Sequence, residues 1–193
     1  MISDSSTLSD LYQRIWKKIE KAVVSRHEAW HLVTVGTVRD HEPEMRTLVL
    51  RGASAERGII WMHTDLRSPK CRDIEKSPTG SLLFYDPIDR WQLRLKGTFS
   101  LDTKSDFSET AWRKTTASAR RCYQGPVAPG TPSDTMATNL PPENVEPSFG
   151  RENFSRLLFT VSKMDWLFLR AEGHQRAQWE LLSGKVQSTW LNP

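Results

Sequence analysis

The chain has 193 residues, enough for one domain with a sizeable hydrophobic core. Hydrophobic residues make up 37% and charged residues 26%, a composition that excludes an intrinsically disordered chain. The formal net charge of +4 is too small to indicate a nucleic-acid-binding protein by itself.

The chain begins with a predicted amphipathic helix, within an N-terminal element that we place over residues 1–26. Apolar residues recur every three or four positions from Thr7 to about Val24, which puts them on one helix face. The next segment, His27-Glu28-Ala29-Trp30-His31, matches the motif of zinc proteases. Because a strand-like run starts at Leu32, we expect both histidines at a helix-to-strand junction and predict no metal site. A zinc hydrolase is therefore a minor alternative.

Five short runs rich in β-branched and aromatic residues follow, and we predict that they form a barrel within residues 29–102. Only one short helix, Pro69–Lys76, interrupts them. A parallel sheet would need a helix after each strand, so this spacing favours an antiparallel sheet that closes into a small barrel. The predicted strands are Leu32–Val35, Thr47–Leu50, Gly58–Met62, Gly80–Tyr85 and Trp91–Lys96.

The remaining part of the chain is predicted to contain a helix, a proline-rich loop and closing strands. The helix covers residues 105–122, with Ser105 or Asp106 as its N-cap. The proline and glycine residues of the loop, 124–151, exclude a helix or a central strand, and we expect this loop to pack across a partner subunit. The closing strands, within 154–193, are Leu157–Val161, Trp166–Leu169, Ala177–Leu182 and Val186–Trp190.

The turn that precedes the short helix has features of an anion site. Ser68 suits the N-cap and Pro69 suits the first helical position, so the free N–H groups of a helix should point outward here. Arg67 and Lys70 add positive charge at the helix end that already attracts anions. This segment predicts a phosphate site, and an ordinary capped surface helix is the alternative.

The second predicted strand carries an arginine at each end. Because side chains alternate along a strand, Arg46 and Arg51 point to opposite faces. One arginine is explained by a solvated edge, whereas two on opposite faces of an otherwise apolar strand indicate ligand contacts at the barrel rim.

These segments, in their order and spacing, resemble the FMN-binding half of the pyridoxamine 5′-phosphate oxidase family, the flavin-binding split barrels. The resemblance covers roughly Trp30 to Gly97, and Asp165–Leu169 with Gln178-Trp179 is similar to the closing strands of that fold. It implies an antiparallel split β-barrel of the α+β class with flanking helices, binding FMN as a homodimer with the flavin between subunits. The segments that carry it are Arg46–Arg51, Thr64, Ser68–Lys70, Ser77-Pro78, Leu82–Phe84 and Gln92 to Gly97.

The resemblance also implies roles for individual residues. Arg46 and Lys70 would bind the FMN phosphate, Ser68 would cap the phosphate-binding helix, and Arg51 would contact the substrate. Gln92 would reach the flavin from the facing strand or subunit. The other residues expected to line the flavin are Thr47, Leu48, Val49, His63 and Thr64.

Departures from the family pattern concern the substrate site. Pro69 stands where the oxidase has a second basic phosphate ligand, and Gln178 stands where the closing strands usually supply an arginine. The Tyr, Arg and Ser of the oxidase's substrate-binding helix have only loose counterparts, in Trp112, Ser118, Arg120 and Arg121. FMN binding is therefore better supported than vitamin B6 chemistry.

The sequence thus predicts an FMN-dependent oxidoreductase with an altered substrate site and with catalytic residues still unassigned. A flavin-binding protein without turnover is the alternative, and a nucleic-acid-binding barrel is less favoured. The longest apolar runs fall far short of the ~18 residues that a membrane helix needs, and two cysteines are too few for a disulfide framework. We therefore predict a cytoplasmic protein with a small-molecule substrate and no membrane or nucleic-acid partner.

Overall fold

The computed structural model describes residues 7–136, 138–141, 143–182 and 185–193. The helices are α1 (Leu8–Val24), α2 (Pro69–Lys76), α3 (Asp106–Lys114) and α4 (Ala117–Gln124). The strands are β1 (Leu32–Arg39), β2 (Glu42–Ser54), β3 (Ile59–Asp65), β4 (Thr79–Asp86), β5 (Trp91–Asp102), β6 (Phe154–Phe168), β7 (Gln175–Leu182) and β8 (Lys185–Leu191). Among the described helices, none is both long and apolar enough to cross a bilayer.

The eight strands form one antiparallel sheet in the order β3-β2-β1-β4-β5-β6-β7-β8. Because β3 also pairs with β6, the first six strands close into a barrel, and β7 and β8 extend the sheet from the second half of β6. The predicted antiparallel barrel with flanking helices is confirmed. Strand β6 thereby pairs with both β3 and β5 and closes the barrel.

Helix α1 packs on the barrel through a continuous apolar face. Thr7 and Asp10 form a capping box, since each side chain accepts a hydrogen bond from the other residue's backbone N–H. Leu11, Ile15 and Ile19 are fully buried and join the core of the barrel. Most of the chain's tryptophans are buried: Trp16, Trp30, Trp91, Trp112, Trp166 and Trp179.

The segment that resembles a zinc-protease motif lies at a helix-to-strand junction, as predicted. Helix α1 ends at Val24, and His31 is the last residue of a separate 3-10 turn, Ala29–His31. The Nδ1 atom of His31 lies 2.7 Å from the carbonyl oxygen of Ala22, so this ring is engaged by the backbone. The two histidines therefore do not lie one turn apart on an α-helix.

Strand β6 corrects the prediction for the C-terminal strands. Leu157–Val161 and Trp166–Leu169 were expected as separate strands, but β6 runs without interruption from Phe154 to Phe168. Its first half pairs with β3 and its second half with β7, while β5 pairs along its length. A β-bulge at Ser162 absorbs the irregular spacing that suggested a break in the sequence.

The bulge brings the backbones of β5 and β6 close together at Gly97. A Cβ atom at Gly97 would lie 2.0 Å from the carbonyl oxygen of Thr160, whereas at Gly36 the nearest atom would be 3.6 Å away. We expect Gly97→Ala to lower the free energy of unfolding by about 1–3 kcal/mol, because the backbone must move. Gly36→Ala is the matched control in chemical denaturation. Equal stabilities of the two variants would contradict this account of the bulge.

Residues 105–122 form two helices and not the single helix predicted. Helix α3 ends at Lys114, and α4 starts at Ala117 with Thr116 as its N-cap. The Thr116 hydroxyl accepts a hydrogen bond from the N–H of Ala119, while the Thr115 hydroxyl donates to the carbonyl oxygen of Ala111. These two bonds stop one helix and begin the next, because threonine favours caps over helix interiors.

Apart from Gln124, the last residue of α4, the described part of the proline-rich loop contains neither α-helix nor strand, as predicted. Its contacts are with its own chain: Gly125 accepts a hydrogen bond from Arg67, and the side chain of Asn139 bonds both backbone groups of Val127. At the far end, Gln124 donates to the carbonyl oxygen of Phe149. The expected packing across a partner subunit remains a prediction.

Candidate functional site

A split in the barrel wall between β2 and β3 forms the candidate site. The two strands pair only from Leu50 to Ser54 on β2 and from Ile59 to Met62 on β3. Toward its N-terminus β2 pairs with β1, and β3 continues alongside β6. Within the described residues, the backbone edge of Arg46–Val49 that faces β3 therefore has no partner strand. The gap between this edge and β3 is the candidate ligand cleft.

One end of the cleft holds two cations, Arg46 and Lys70, both half-buried. Lys70 donates hydrogen bonds to the hydroxyls of Ser68 and Thr64 at 2.7 and 3.1 Å. Burial lowers the pKa of Lys70, and the positive charge of Arg46 lowers it further. Burial also lowers the pKa of Arg46, whose guanidinium donates to the hydroxyl of Thr37 at 2.7 Å. Over the described ranges, no carboxylate lies within 4.0 Å of either cation.

Ser68 occupies the predicted N-cap position of α2, but its side chain does not cap the helix. The hydroxyl donates to the carbonyl oxygen of Asp65 and accepts from Lys70, and it makes no bond to a helix N–H group. The capping role predicted for this side chain is therefore wrong. Because Pro69 starts α2 with a fixed φ angle and no N–H, the helix begins here without a side-chain cap.

The other end of the cleft opens into a cavity of about 390 Å³ below α3 and α4. Arg51 reaches it from the irregularity between Leu50 and Gly52, where the pairing of β2 with β3 shifts register. Trp61 and His63 reach it from the outer face of β3. The remaining lining residues are Phe107, Thr110, Ala111, Lys114, Thr115, Thr116, Ala119, Tyr123 and Arg156.

His63 is largely enclosed and stays neutral at physiological pH. Burial is the main cause, and the positive charges of Arg51 and Arg156 add to it, so that the pKa of His63 falls to about 4. The imidazole ring packs edge-on against Phe154 at 4.8 Å between ring centroids. Tyr123, on the side of the cavity that α4 covers, is also neutral because burial raises its pKa to about 12.

A rigid cation forms one wall of the cavity. The guanidinium of Arg156 lies 4.8 Å from the ring of Trp61 and 5.6 Å from that of Phe107. It also donates to Asp102 at 3.0 Å, and that ion pair is almost fully buried. Three aromatic or ionic partners therefore fix the orientation of Arg156. Sequence reasoning missed this residue, and its partners lie far from it along the chain.

The structure brings most of the predicted site residues together, with one exception. Arg46, Thr64, Ser68 and Lys70 meet at one end of the cleft, and Arg51 and His63 meet at the other. Thr47, Leu48 and Val49 lie between them on β2. Gln92 is elsewhere: it pairs with Tyr85 and Leu167 on the outer face of β5, two strands beyond β1 in the sheet.

The four loose counterparts of the oxidase's substrate segment do not line the cavity. Trp112 is buried against Tyr123 and Phe154. Arg120 stacks on Trp112 at 5.1 Å and donates to the carbonyl oxygen of Arg113 at 2.9 Å, so it holds α3 and α4 together. On the helix side the cavity is lined instead by Phe107, Lys114 and Tyr123 and by smaller residues of α3, α4 and the turn between them.

A family model, described as the pyridoxamine 5′-phosphate oxidase FMN-binding domain, matches residues 13–103. The resemblance to the pyridoxamine 5′-phosphate oxidase family is therefore confirmed over these residues, which match the FMN-binding domain of that family. The matched range runs from α1 to β5. It includes the residues of β2, β3 and α2 that lie at the two ends of the cleft. FMN is the cofactor of this family domain.

Individual relatives agree with the family. A pyridoxine/pyridoxamine 5′-phosphate oxidase 2 from Arabidopsis thaliana is 29% identical over 148 residues, 72% of this chain and 72% of that protein. A pyridoxamine 5′-phosphate oxidase-related, FMN binding protein from Nostoc punctiforme PCC 73102 is 25% identical, with a TM-score of 0.79 over 97% of this chain and all of the other. PhzG from Burkholderia lata 383, solved with tetrahydrophenazine-1-carboxylic acid, shares the fold at 14% identity and a TM-score of 0.70, covering 98% and 95% of the two chains.

The residues at the Arg46 and Lys70 end of the cleft fit the phosphate of FMN. Two half-buried cations without a carboxylate partner in the described chain need a counter-charge. The N-terminus of α2 adds backbone hydrogen-bond donors at the same place. This donor set suits a doubly charged phosphate better than a neutral ligand.

Proposed function

We propose that the protein is an FMN-dependent oxidoreductase that holds FMN in the cleft between β2 and β3 and its substrate in the adjoining cavity. The observation that carries this proposal is the pair of half-buried cations, Arg46 and Lys70, with no carboxylate within 4.0 Å of either among the described residues. Such a pair is unfavourable without an anion, since each positive charge raises the cost of burying the other. When bound, FMN supplies hydride or electron transfer, and the protein supplies position and electrostatics.

The edge of β2 between Arg46 and Arg51 suits the flavin ring. Its backbone N–H and C=O groups on the side of β3 have no ladder partner in the described chain, and unpaired backbone groups favour a polar ligand. The flavin ring carries both donors and acceptors along its pyrimidine edge. We assign Thr47, Leu48 and Val49 to this contact.

We further propose that the protein is a homodimer in which each protomer's Gln92 reaches the FMN of the other. Gln92 lies on the outer face of β5 with Leu167 beside it, and Gln178 lies on the same face of β7. Large apolar side chains are exposed on or beside this side of the sheet, including Met45 at 64% and Tyr85 at 47%. Exposed apolar surface of this kind favours a subunit contact.

The oxidoreductase proposal is tested with the purified, FMN-loaded protein. We expect stoichiometric FMN and reduction of its visible absorbance under anaerobic conditions by NADH, NADPH or pyridoxamine 5′-phosphate, followed by reoxidation on admission of oxygen. Stoichiometric FMN that none of these donors reduces would favour the alternative, a flavin-binding protein without turnover. A protein that retains no FMN would overturn the proposal.

Sedimentation and flavin titration test the dimer. We expect a dimer by analytical ultracentrifugation, and Gln92→Ala should weaken FMN about three- to tenfold, the value of one neutral hydrogen bond. Gln13→Ala, on the exposed face of α1, is the matched control and should leave FMN affinity unchanged. A monomer with normal FMN affinity would show that Gln92 plays no part in the site.

A further inference from the structure

A buried carboxylate lies near the Arg46 and Lys70 end of the cleft, which we call the phosphate end. Asp73 belongs to α2, three residues after Lys70, a spacing that puts both side chains on the same helix face. The Asp73 side chain is only 6% exposed. Burial is the main influence on the pKa of Lys70 and of Arg46 and lowers both, whereas the negative charge of Asp73 acts to raise both. Asp73 is therefore close enough to act on the two cations that an anionic ligand would use.

An ion pair with Arg39 occupies both oxygens of this carboxylate. The Nε atom of Arg39 donates to Oδ1 of Asp73 at 2.9 Å, and an Nη atom donates to Oδ2 at 3.0 Å. The other Nη atom lies 2.8 Å from a carboxylate oxygen of Glu44. Two parallel hydrogen bonds between a guanidinium and a carboxylate fix the geometry of the pair and also strengthen it. Arg39 therefore holds Asp73 in one place, beyond 4.0 Å from Lys70 and Arg46.

The β1–β2 hairpin places Arg39 and Arg46 on one face of the sheet. Side chains alternate along a strand, so Thr37 and Arg39 point to the same face of β1. Arg46 belongs to this face as well, because it pairs with Val35 across the ladder and donates to the hydroxyl of Thr37. Helix α2 packs on β1, and its Asp73 meets Arg39 there. The hairpin thus presents two arginines to α2, and Asp73 pairs with Arg39 and not with Arg46.

We propose that Arg39 is a positioning residue for the phosphate end of the cleft. By engaging Asp73, it leaves the charges of Arg46 and Lys70 available to the phosphate of a bound ligand. The inference rests on the proposed function, since it concerns how the FMN site is kept cationic. Arg39 acts through Asp73 and makes no contact of its own with the ligand.

The physical reason is the cost of leaving Asp73 unpaired. A buried carboxylate that loses its partner is strongly unfavourable, and solvent hardly reaches the Asp73 side chain. Without Arg39, the carboxylate lowers this cost by pairing with Lys70, one helical turn away, or with Arg46. The phosphate of FMN must then displace an internal anion from the same cations. Riboflavin lacks the phosphate, so its binding does not meet this competition.

Titration of the apoprotein with FMN and with riboflavin, followed by flavin fluorescence, tests the role of Arg39. We expect Arg39→Gln to weaken FMN binding by about tenfold and to leave riboflavin binding nearly unchanged. Arg57→Gln, in an exposed turn, is the charge-matched control and should change neither affinity. Arg39→Lys keeps the charge but lacks the two-point contact, so its FMN affinity should lie between those of Arg39→Gln and the wild type.

A second substitution distinguishes positioning from a purely structural role. When Arg39→Gln is combined with Asp73→Asn, the competing charge is absent, and we expect FMN affinity to return to within about twofold of the wild type. Asp73→Asn alone should bind FMN at least as tightly as the wild type, because it removes a negative charge near the phosphate. If Arg39 only stabilised the fold, both flavins would lose affinity equally and Asp73→Asn would restore neither. If Arg39→Gln fails to fold, Arg39→Lys with and without Asp73→Asn gives the same comparison.

The outcomes separate this inference from the proposed function. Wild-type FMN affinity in Arg39→Gln, or a loss that Asp73→Asn does not restore, would overturn the inference and leave FMN binding intact. If the wild-type protein bound no FMN, the proposed function would fail, and inorganic phosphate would test the inference on the same apoproteins. A phosphate-induced rise in Tm that is lost in Arg39→Gln and restored in the double variant would support it. The absence of any such rise in a wild type that binds no FMN would overturn both.

Discussion

Lys70→Ala is expected to weaken FMN binding by about 10- to 100-fold and to leave riboflavin binding nearly unchanged. The reason is the position of the ammonium group, which is half-buried and donates hydrogen bonds to Ser68 and Thr64. A charged contact to phosphate is stronger than a neutral hydrogen bond, and riboflavin has no phosphate. Titration of apoprotein with the two flavins, followed by flavin fluorescence, gives both affinities.

Lys76→Ala is the matched control for this measurement, because Lys76 lies at the exposed end of the same helix. Arg46→Ala should behave like Lys70→Ala, since the two cations share one site. Equal losses for FMN and riboflavin would remove Lys70 from the phosphate site. An unchanged FMN affinity in Arg46→Ala would remove the first segment of the family resemblance.

Arg67→Ala is expected to lower the free energy of unfolding by about 3 kcal/mol. The guanidinium of Arg67 bonds both carboxylate oxygens of Asp65, at 3.1 and 2.7 Å, and Asp65 is only 7% exposed. It also donates to the carbonyl oxygen of Gly125 at 2.8 Å. Removing the arginine leaves a buried carboxylate without its partner and frees the start of the proline-rich loop. Chemical denaturation measures the first effect, and faster proteolysis within residues 125–150 the second.

Arg121→Ala, on the exposed side of α4, is the control for the loss of one arginine. A double variant provides a further test: Asp65→Asn with Arg67→Ala should cost less than the sum of the single changes, because the pair is lost only once. Strict additivity, or an unchanged rate of proteolysis, would show that Arg67 does not join β3 to the loop.

Helices and strands could be predicted from the sequence where residues of the element itself define its ends. Helix α2 has the predicted bounds, because Ser68 and Pro69 define its start within the sequence itself. The barrel strands were all found, but their ends were underestimated: β2 extends to Glu42 and Ser54, well beyond its apolar centre. Pairing with β1 and β3 extends a strand over polar residues that no propensity favours.

The residues of the candidate site show the same difference between local and tertiary signals. Arg46 and Lys70 were paired through the family resemblance, and residue spacing alone would not bring β2 and α2 together. Lys114 and Arg156 could not be identified, because their places in the cavity depend on the break at Thr115-Thr116 and on the pairing of β6 with β3. Both are tertiary features. His63 was assigned to the flavin with Thr64, but strand alternation sends these neighbours to opposite faces.

The proposed cofactor site and the adjoining cavity are built from different elements, and this separation affects how such a protein can diversify. In the proposed site, FMN is held by β2 and β3 of the closed barrel and by the adjoining helix α2. Helices α3 and α4, which cover the cavity, lie outside the β-sheet and contribute only side chains to the cavity. Substitutions in these helices, at positions such as Thr110 and Ala119, can therefore reshape the space for a substrate and leave the proposed flavin contacts unchanged. New substrate specificity can arise on this scaffold without changes to the barrel.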